Sequence, residues 1–427
     1  MIERNIAKRL RQALKDTPVV FLHGARQTGK STLVQAIAEG RRNASYLTLD
    51  DAATLAAATS DPAGFVQGFD GPLVLDEVQK APALFPAIKR EVDRNRKPGR
   101  FLLTGSANVL LVPKVSESLA GRIEILTLWP FSQGEIDGVR ETFVDALFAE
   151  ANPRAPDKPL ASSKVMDCVL RGGYPEICTT RGASRRADWF RSYISTILQR
   201  DIRDLSNIEG LTELPRLLTL LATRAGSPMN FADISRDLSI PQTTLKRYFA
   251  LLEMTFIVQA LPAWSSNLGK RLVKSPKLYL NDTGLLTHLL GFSKDRLGSD
   301  PKQGGPLMEN FVVMELRKQA PWSKTQPELF HFRTQVGREV DIVLEDRSGR
   351  IVGIEVKASA TLGTDDLKGL KALAELAGKR FHRGVVLYAG QDAIPFGSRI
   401  HALPVSALWA GSSSGAGSSS KTKAKTR

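Results

Sequence analysis

Apolar residues in the first third of the chain fall into short continuous runs separated by stretches with helical spacing. Residues 18–23, 45–49, 72–76 and 100–104 are short enough for strands, and runs this apolar suit strands covered on both faces. Residues 30–38, 82–93 and 116–120 read as the intervening helices. That alternation predicts a doubly wound parallel α/β domain over residues 1–137. The first eleven residues begin an amphipathic helix and contain no signal-peptide apolar core. Beyond the first domain, residues 141–150 suggest a short helix, and the Pro- and Ser-rich 151–163 a loop. From Ala183 the pattern turns helical, with Trp189, Tyr193, Ile194 and Ile197 on one face.

The first apolar run enters Gly24-Ala25-Arg26-Gln27-Thr28-Gly29-Lys30-Ser31, which is GxxxxGK[ST] between a strand and a helix. This P-loop pattern predicts that the protein binds ATP with Mg²⁺. Gly24 and Gly29 allow the backbone to turn its N–H groups toward phosphates, and Ala25, Arg26, Gln27, Thr28 and Thr32 complete the cradle. Lys30 would reach the terminal phosphates, and Ser31 would ligate Mg²⁺. The run at 72–76 ends in Asp76-Glu77, a Walker B pattern in which Asp76 holds the metal and Glu77 acts on the attacking water. The run at 100–104 ends in Thr104 and Ser106, candidate γ-phosphate sensors, of which Thr104 is assigned to the nucleotide site. Arg122, in Leu119-Ala120-Gly121-Arg122, is a further candidate contact.

Residues 231–252 read as helix, turn and second helix, followed by an extended segment at 256–262. This predicts a winged helix-turn-helix within 206–275, with Gln242, Thr243, Thr244 and Lys246 at the exposed start of its second helix. Such a module fits a DNA major groove, and it fits equally a role as connector or protein-binding unit. In the region 276–410, Gly337–Leu344 and Ile351–Lys357 read as paired strands carrying Asp341, Glu355 and Lys357. Side chains alternate along a strand, so Glu355 and Lys357 share a face. Asp341 and Glu355 would hold a divalent cation while Lys357 orients water, a workable arrangement for phosphodiester hydrolysis. Glu309, on a preceding helix, would complete the cluster.

The chain has 427 residues and a net charge of +15, of which four charges lie in the tail at 421–427. That balance permits nucleic-acid binding without requiring it. Two cysteines and five scattered histidines exclude a disulfide framework and a cysteine-built zinc site. No apolar run reaches membrane-spanning length. The expectation is a cytoplasmic protein with no membrane partner and a disordered basic tail over 411–427. Linker and helices are expected over 138–205.

The Asp341, Glu355 and Lys357 spacing resembles the restriction-endonuclease-like superfamily. GARQTGKS, LVLDEVQ, LLTGS, LAGR, GGYPE (172–176), LQRDI (198–202), YLNDTGLL (279–286) and GREVDIV…GIEVKAS together resemble a large prokaryotic family. Its members fuse an AAA-type ATP-binding domain to a C-terminal region of unknown function. The resemblance implies ATP binding, hydrolysis and a nuclease-like C-terminal domain, and supplies no substrate. Two functions stand: a DNA-acting ATPase controlling the winged helix and nuclease-like domain, or a regulatory NTPase holding a protein partner with the nuclease-like domain inactive.

Overall fold

The computed structural model describes residues 2–106, 119–180, 182–205, 211–299 and 303–410. The four apolar runs are β1 (Val19–His23), β2 (Ser45–Thr48), β3 (Leu73–Asp76) and β4 (Phe101–Gly105). A fifth strand, β5 (Ile123–Thr127), is mostly half-buried and mixes Glu124 and Thr127 with apolar residues, so it lacked the uniform apolar signal. All five run parallel in the order β2-β3-β4-β1-β5. Their C-terminal ends therefore lie along one edge of the sheet. Val20 and Leu22 face α1 (Ala7–Asp16) and α2 (Lys30–Glu39), packing with Leu10, Leu33 and Ile37. Val19 and Phe21 face the opposite layer, where α3 (Leu84–Arg94) and two short helices (Ala52–Ser60, Pro62–Gln67) close over them. The helix expected near 116–120 falls largely on residues outside those described, as does the tail at 411–427.

Residues 143–148 form the short helix expected there, and irregular chain runs on to Ala161. A long helix, α4 (Ala183–Thr196), passes directly into a π-helical turn, Ile197–Asp201, and then a last short helix, Ile202–Leu205. Three helices follow: α5 (Leu214–Thr223), α6 (Phe231–Leu238) and α7 (Gln242–Met254). Asn230 caps α6 by accepting the backbone N–H groups of Ala232 and Asp233. Strand β6 (Val258–Leu261) then pairs antiparallel with β7 (Lys277–Leu280), a ladder that crosses position 275. After α8 (Thr283–Leu290) and α9 (Gly304–Gln319) comes a mixed six-stranded sheet. It contains β8 (Glu328–Arg333), β9 (Glu339–Glu345), β10 (Ile351–Lys357), β11 (Phe381–Tyr388), β12 (Ile394–Pro395) and β13 (Ile400–Pro404), ordered β12-β13-β11-β10-β9-β8. The β8-β9-β10 strands are antiparallel, whereas α10 (Lys368–Ala377) carries the chain from β10 to a parallel β11. One face of this sheet shares a core with the central helices, from Phe143 to Trp409. Its other face packs on α10 and Trp264.

Buried polar groups join the first sheet to the rest of the chain. Glu315 and Lys318 of α9 pair at 2.7 Å with almost no exposure. Glu315 accepts the Gln133 backbone N–H at 2.9 Å, and Lys318 donates to the Phe131 carbonyl at 2.9 Å. Phe131 in turn donates its N–H to the Gly173 carbonyl at 2.7 Å. A Cβ on Gly173 would lie 2.1 Å from the Phe131 carbonyl oxygen, so glycine is required by close approach. Asp282 accepts the Gly173 N–H at 2.7 Å while capping α8 through the Leu285 N–H at 3.1 Å. The GGYPE and YLNDTGLL segments thus meet at this seam. Asp282→Ala would strand two buried N–H groups and should destabilise the chain by on the order of 2–4 kcal/mol, read as a lower denaturant midpoint.

Candidate functional site

Strand β1 delivers the loop Gly24–Ser31 to the C-terminal edge of the parallel sheet. Gly24 has φ 153° and a Cβ there would lie 2.1 Å from the Leu128 carbonyl oxygen, so the tight approach of β1 to the chain after β5 needs glycine. Gly29, at φ 89°, is the left-handed N-cap of α2. Its position leaves the first N–H groups of α2, beginning at Lys30, Ser31 and Thr32, facing the loop. The Lys30 side chain folds back, donating to the carbonyls of Gly24 at 3.1 Å and Ala25 at 2.9 Å. Burial pushes its pKa down to about 8, against the pull of Glu77 and Asp76. Thr28 braces the loop through the Ala25 carbonyl at 2.9 Å.

The other sequence-predicted groups converge on the same edge. Asp76 ends β3, where its carboxylate accepts the Tyr46 hydroxyl at 3.0 Å and the Thr104 hydroxyl. Thr104 also accepts the Glu77 backbone N–H at 3.1 Å. Glu77 is held at φ 58°, a left-handed conformation uncommon outside glycine and found at functional turns. Its carboxylate accepts from Gln79, whose side-chain amide also donates to Ser106 at 3.1 Å. Thus Ser106 supports Glu77 through Gln79. Arg122 is not part of this edge: it precedes β5, at the opposite end of the sheet, where it pairs with Asp93. Because the strands are parallel, a residue just before one cannot reach the loop that follows its neighbour.

Several groups at this edge carried no sequence signal. Arg4, buried, spans from the Thr28 carbonyl at 2.8 Å to the Trp129 carbonyl at 2.6 Å and Glu135 at 3.2 Å. The loop's back is closed by Ala25 packed with Trp129, Phe256 and Met314. Arg26 pairs with Asp201 at 2.6 Å. These partners lie 24 to 289 positions from the loop residues they brace, beyond any local pattern.

A second cluster lies where β7, α9, β9 and β10 meet. Asp341 accepts the Val356 backbone N–H at 2.9 Å, and Lys357 pairs with Glu355 at 3.0 Å and Asp366 at 3.3 Å. Glu309 of α9 joins it as expected. Sequence reasoning missed Lys277, whose buried ammonium bridges Glu309 at 2.8 Å, Glu339 at 2.5 Å and Asp341 at 3.4 Å. Tyr279 donates its hydroxyl to Glu309 at 2.6 Å. Burial works against the Lys277 ammonium, but Glu309, Asp341 and Glu339 outweigh it and hold its pKa above the usual lysine value. Burial and the Asp341 charge push Glu309 up to about 7 and Glu355 up to about 8. Among the described residues no three His, Cys, Asp or Glu side chains are placed to hold one metal ion together. No described helix is long and apolar enough to cross a membrane. The start of α7 is exposed at Gln242, Thr243, Lys246 and Arg247, with Thr244 half-buried.

Residues 16–137 match the AAA domain family, which together with this loop, sheet and acidic edge defines the N-terminal region as an AAA-type P-loop ATPase domain. Residues 162–296 and 304–408 each match a domain of unknown function, DUF8612 and DUF4143. The chain is 35% identical over 406 residues to Mb2031c of Mycobacterium bovis and to Rv2008c of Mycobacterium tuberculosis, both uncharacterized, covering 94% of this chain and 83% of theirs. It belongs to the family of these mycobacterial proteins. MJ1544 of Methanocaldococcus jannaschii, also uncharacterized, is 20% identical over 79% of this chain and 73% of its own. Among solved structures, AMPPCP-bound DnaA from Aquifex aeolicus is 15% identical over 58% of this chain and 86% of its own, with a TM-score of 0.29. The Thermotoga maritima RuvB Holliday junction branch migration motor is 18% identical over 60% and 89%, with a TM-score of 0.27. At those scores neither likeness carries an argument.

His23, the last residue of β1, is buried against Phe256 and shares a 2.8 Å hydrogen bond with Thr127. Burial, reinforced by Lys30, lowers its pKa to about 4. The unfolded chain then binds the extra proton between the ordinary histidine value and about 4, so this contribution is complete at neutral pH and lost on acidification through that window. Unfolding measured from pH 7 to 4 should register a loss of up to roughly 3 kcal/mol from this residue, and His23→Gln should flatten that part of the profile.

Proposed function

We propose that the protein is a Mg²⁺-dependent ATPase whose nucleotide state controls a DNA-binding central module and a nuclease-like C-terminal domain. The observation that carries the ATPase half is the convergence of Lys30, Asp76, Glu77 and Thr104 on one sheet edge, with Glu77 fixed in a left-handed turn. The hydroxyl of Ser31 and the carboxylate of Asp76 are the hard oxygen donors that suit Mg²⁺, which would offset charge on the phosphates. Gly24, Ala25, Arg26, Gln27, Thr28, Gly29, Lys30, Ser31 and Thr32 form the phosphate cradle. Lys30 exchanges its two loop carbonyls for phosphate oxygens. Glu77 orients the attacking water, and Thr104, already bonded to Asp76 and to the Glu77 N–H, links the two acidic residues to the terminal phosphate. Lys30→Ala should abolish MgATP binding in calorimetry. Glu77→Gln should keep binding and lower turnover by about 10²-fold or more.

The winged-helix reading is supported by the succession of helices α5 to α7 and the β6-β7 ribbon, and in it the exposed Gln242, Thr243, Lys246 and Arg247 of α7 would meet a DNA groove. The nuclease-like reading of the C-terminal sheet is supported by the position of Asp341, Glu355 and Lys357 on the paired strands β9 and β10. The buried Glu355 Oε2 has no hydrogen-bond partner among the described residues and would suit a cation. A second reading is favoured by Lys277: its ammonium already answers Glu309, Glu339 and Asp341, as expected of a carboxylate cluster retained for structure in a regulatory NTPase that holds a protein partner. Incubating plasmid and linear DNA with Mg²⁺ or Mn²⁺, with and without ATP, separates the two. Cleavage lost in Asp341→Ala supports the nuclease, whereas ATPase activity without any cleavage supports the regulator.

A further inference from the structure

The P-loop carries one ion pair to a distant part of the chain. Arg26 Nε lies 2.6 Å from Asp201 Oδ2, with the acid side chain only 11% exposed. The same loop residue is held a second time, by the Tyr193 hydroxyl donating to the Arg26 carbonyl at 3.4 Å. Asp201 closes the π-helical turn Ile197–Asp201, an irregularity that recurs at functional sites because it re-aims a side chain out of helical phase. Its second carboxylate oxygen is buried with no hydrogen-bond partner among the described residues. Its charge acts on Lys30, and the Glu77 charge acts on it. A carboxylate from the central region therefore stands against Arg26 of the loop, close enough for its charge to act on Lys30. An anion arriving there meets repulsion from Asp201 and competes with it for Arg26.

We propose that Asp201 is a built-in counter-ion for the P-loop, which the terminal phosphates of MgATP displace from Arg26. It is a positioning residue, and the proposal rests on the nucleotide-binding reading of that loop. Displacement frees the π-helical turn. The next residue, Ile202, is fully buried, and its short helix packs against α7, so movement of the turn bears directly on the helix proposed to meet DNA. Nucleotide occupancy and α7 are then linked through one ion pair, and by linkage whatever holds Asp201 away from Arg26 strengthens nucleotide binding.

The test is calorimetric titration of the full chain with the magnesium complex of a non-hydrolysable ATP analogue and with MgADP. Asp201→Asn removes the competing charge and should tighten analogue binding by about five-fold or more, and MgADP binding by less. Asp201→Ser should do the same, and the conservative Asp201→Glu should restore wild-type affinity. Hydrogen exchange at residues 197–205 should rise when the analogue binds to the wild type and should already be raised in nucleotide-free Asp201→Asn. Unchanged or weaker analogue binding by both uncharged variants overturns the proposal, because a structural or metal-holding Asp201 gives that result. Absence of binding by the wild-type chain instead removes the nucleotide-binding reading, and this proposal with it.

Discussion

The buried ion pair Glu315–Lys318 is the constraint on which the arrangement of the chain depends. Two charges removed from water are tolerated only when their remaining hydrogen-bonding capacity is met. Here it is met by the backbone of another region: the N–H of Gln133 and the carbonyl of Phe131. Pulling the ATPase sheet away from α9 would leave both charges short of partners in a dry seam. The same seam aligns Gly173 with Phe131 and Asp282, and it seats Met314 of α9 beside Ala25 and Trp129 behind the P-loop. Loop, central helices and C-terminal sheet are thereby held in one packing arrangement.

The two candidate sites arrange their charges differently. At the edge of the parallel sheet, cationic Arg26 and Lys30 sit among Asp76, Glu77 and Asp201, so the loop stands charged and partly answered from within the chain. In the C-terminal cluster the carboxylates surround one buried ammonium, Lys277. Each arrangement answers part of its buried charge from within the chain, as burial of charge requires. Each also sets what an incoming ligand must displace.

Much of the first domain was legible because parallel strands buried on both faces read as uniform apolar runs, and because the P-loop pairs a spacing with a backbone requirement. Strand β5 escaped because it lies at the sheet edge, where Glu124 and Thr127 are tolerated. The hairpin carrying Asp341, Glu355 and Lys357 was legible from alternation, and Glu309 from helical spacing. Lys277 was not, since a lysine at the head of a short strand gives no sign of burial. Arg122 was misplaced because adjacency along the chain says nothing about which end of a parallel sheet a residue occupies.

Sequence by itself determined the local chemistry: a glycine-framed loop entering a helix, an acidic pair ending a strand, and carboxylates in alternation on a hairpin. These follow from short-range rules, in which steric freedom, helical period and strand alternation act over a few residues. Tertiary structure alone decided which distant charges complete each site. Asp201 reaches Arg26, Lys277 fills the carboxylate cluster and Arg4 braces Thr28, because folding brings together groups whose separation along the chain encodes nothing about their distance in space.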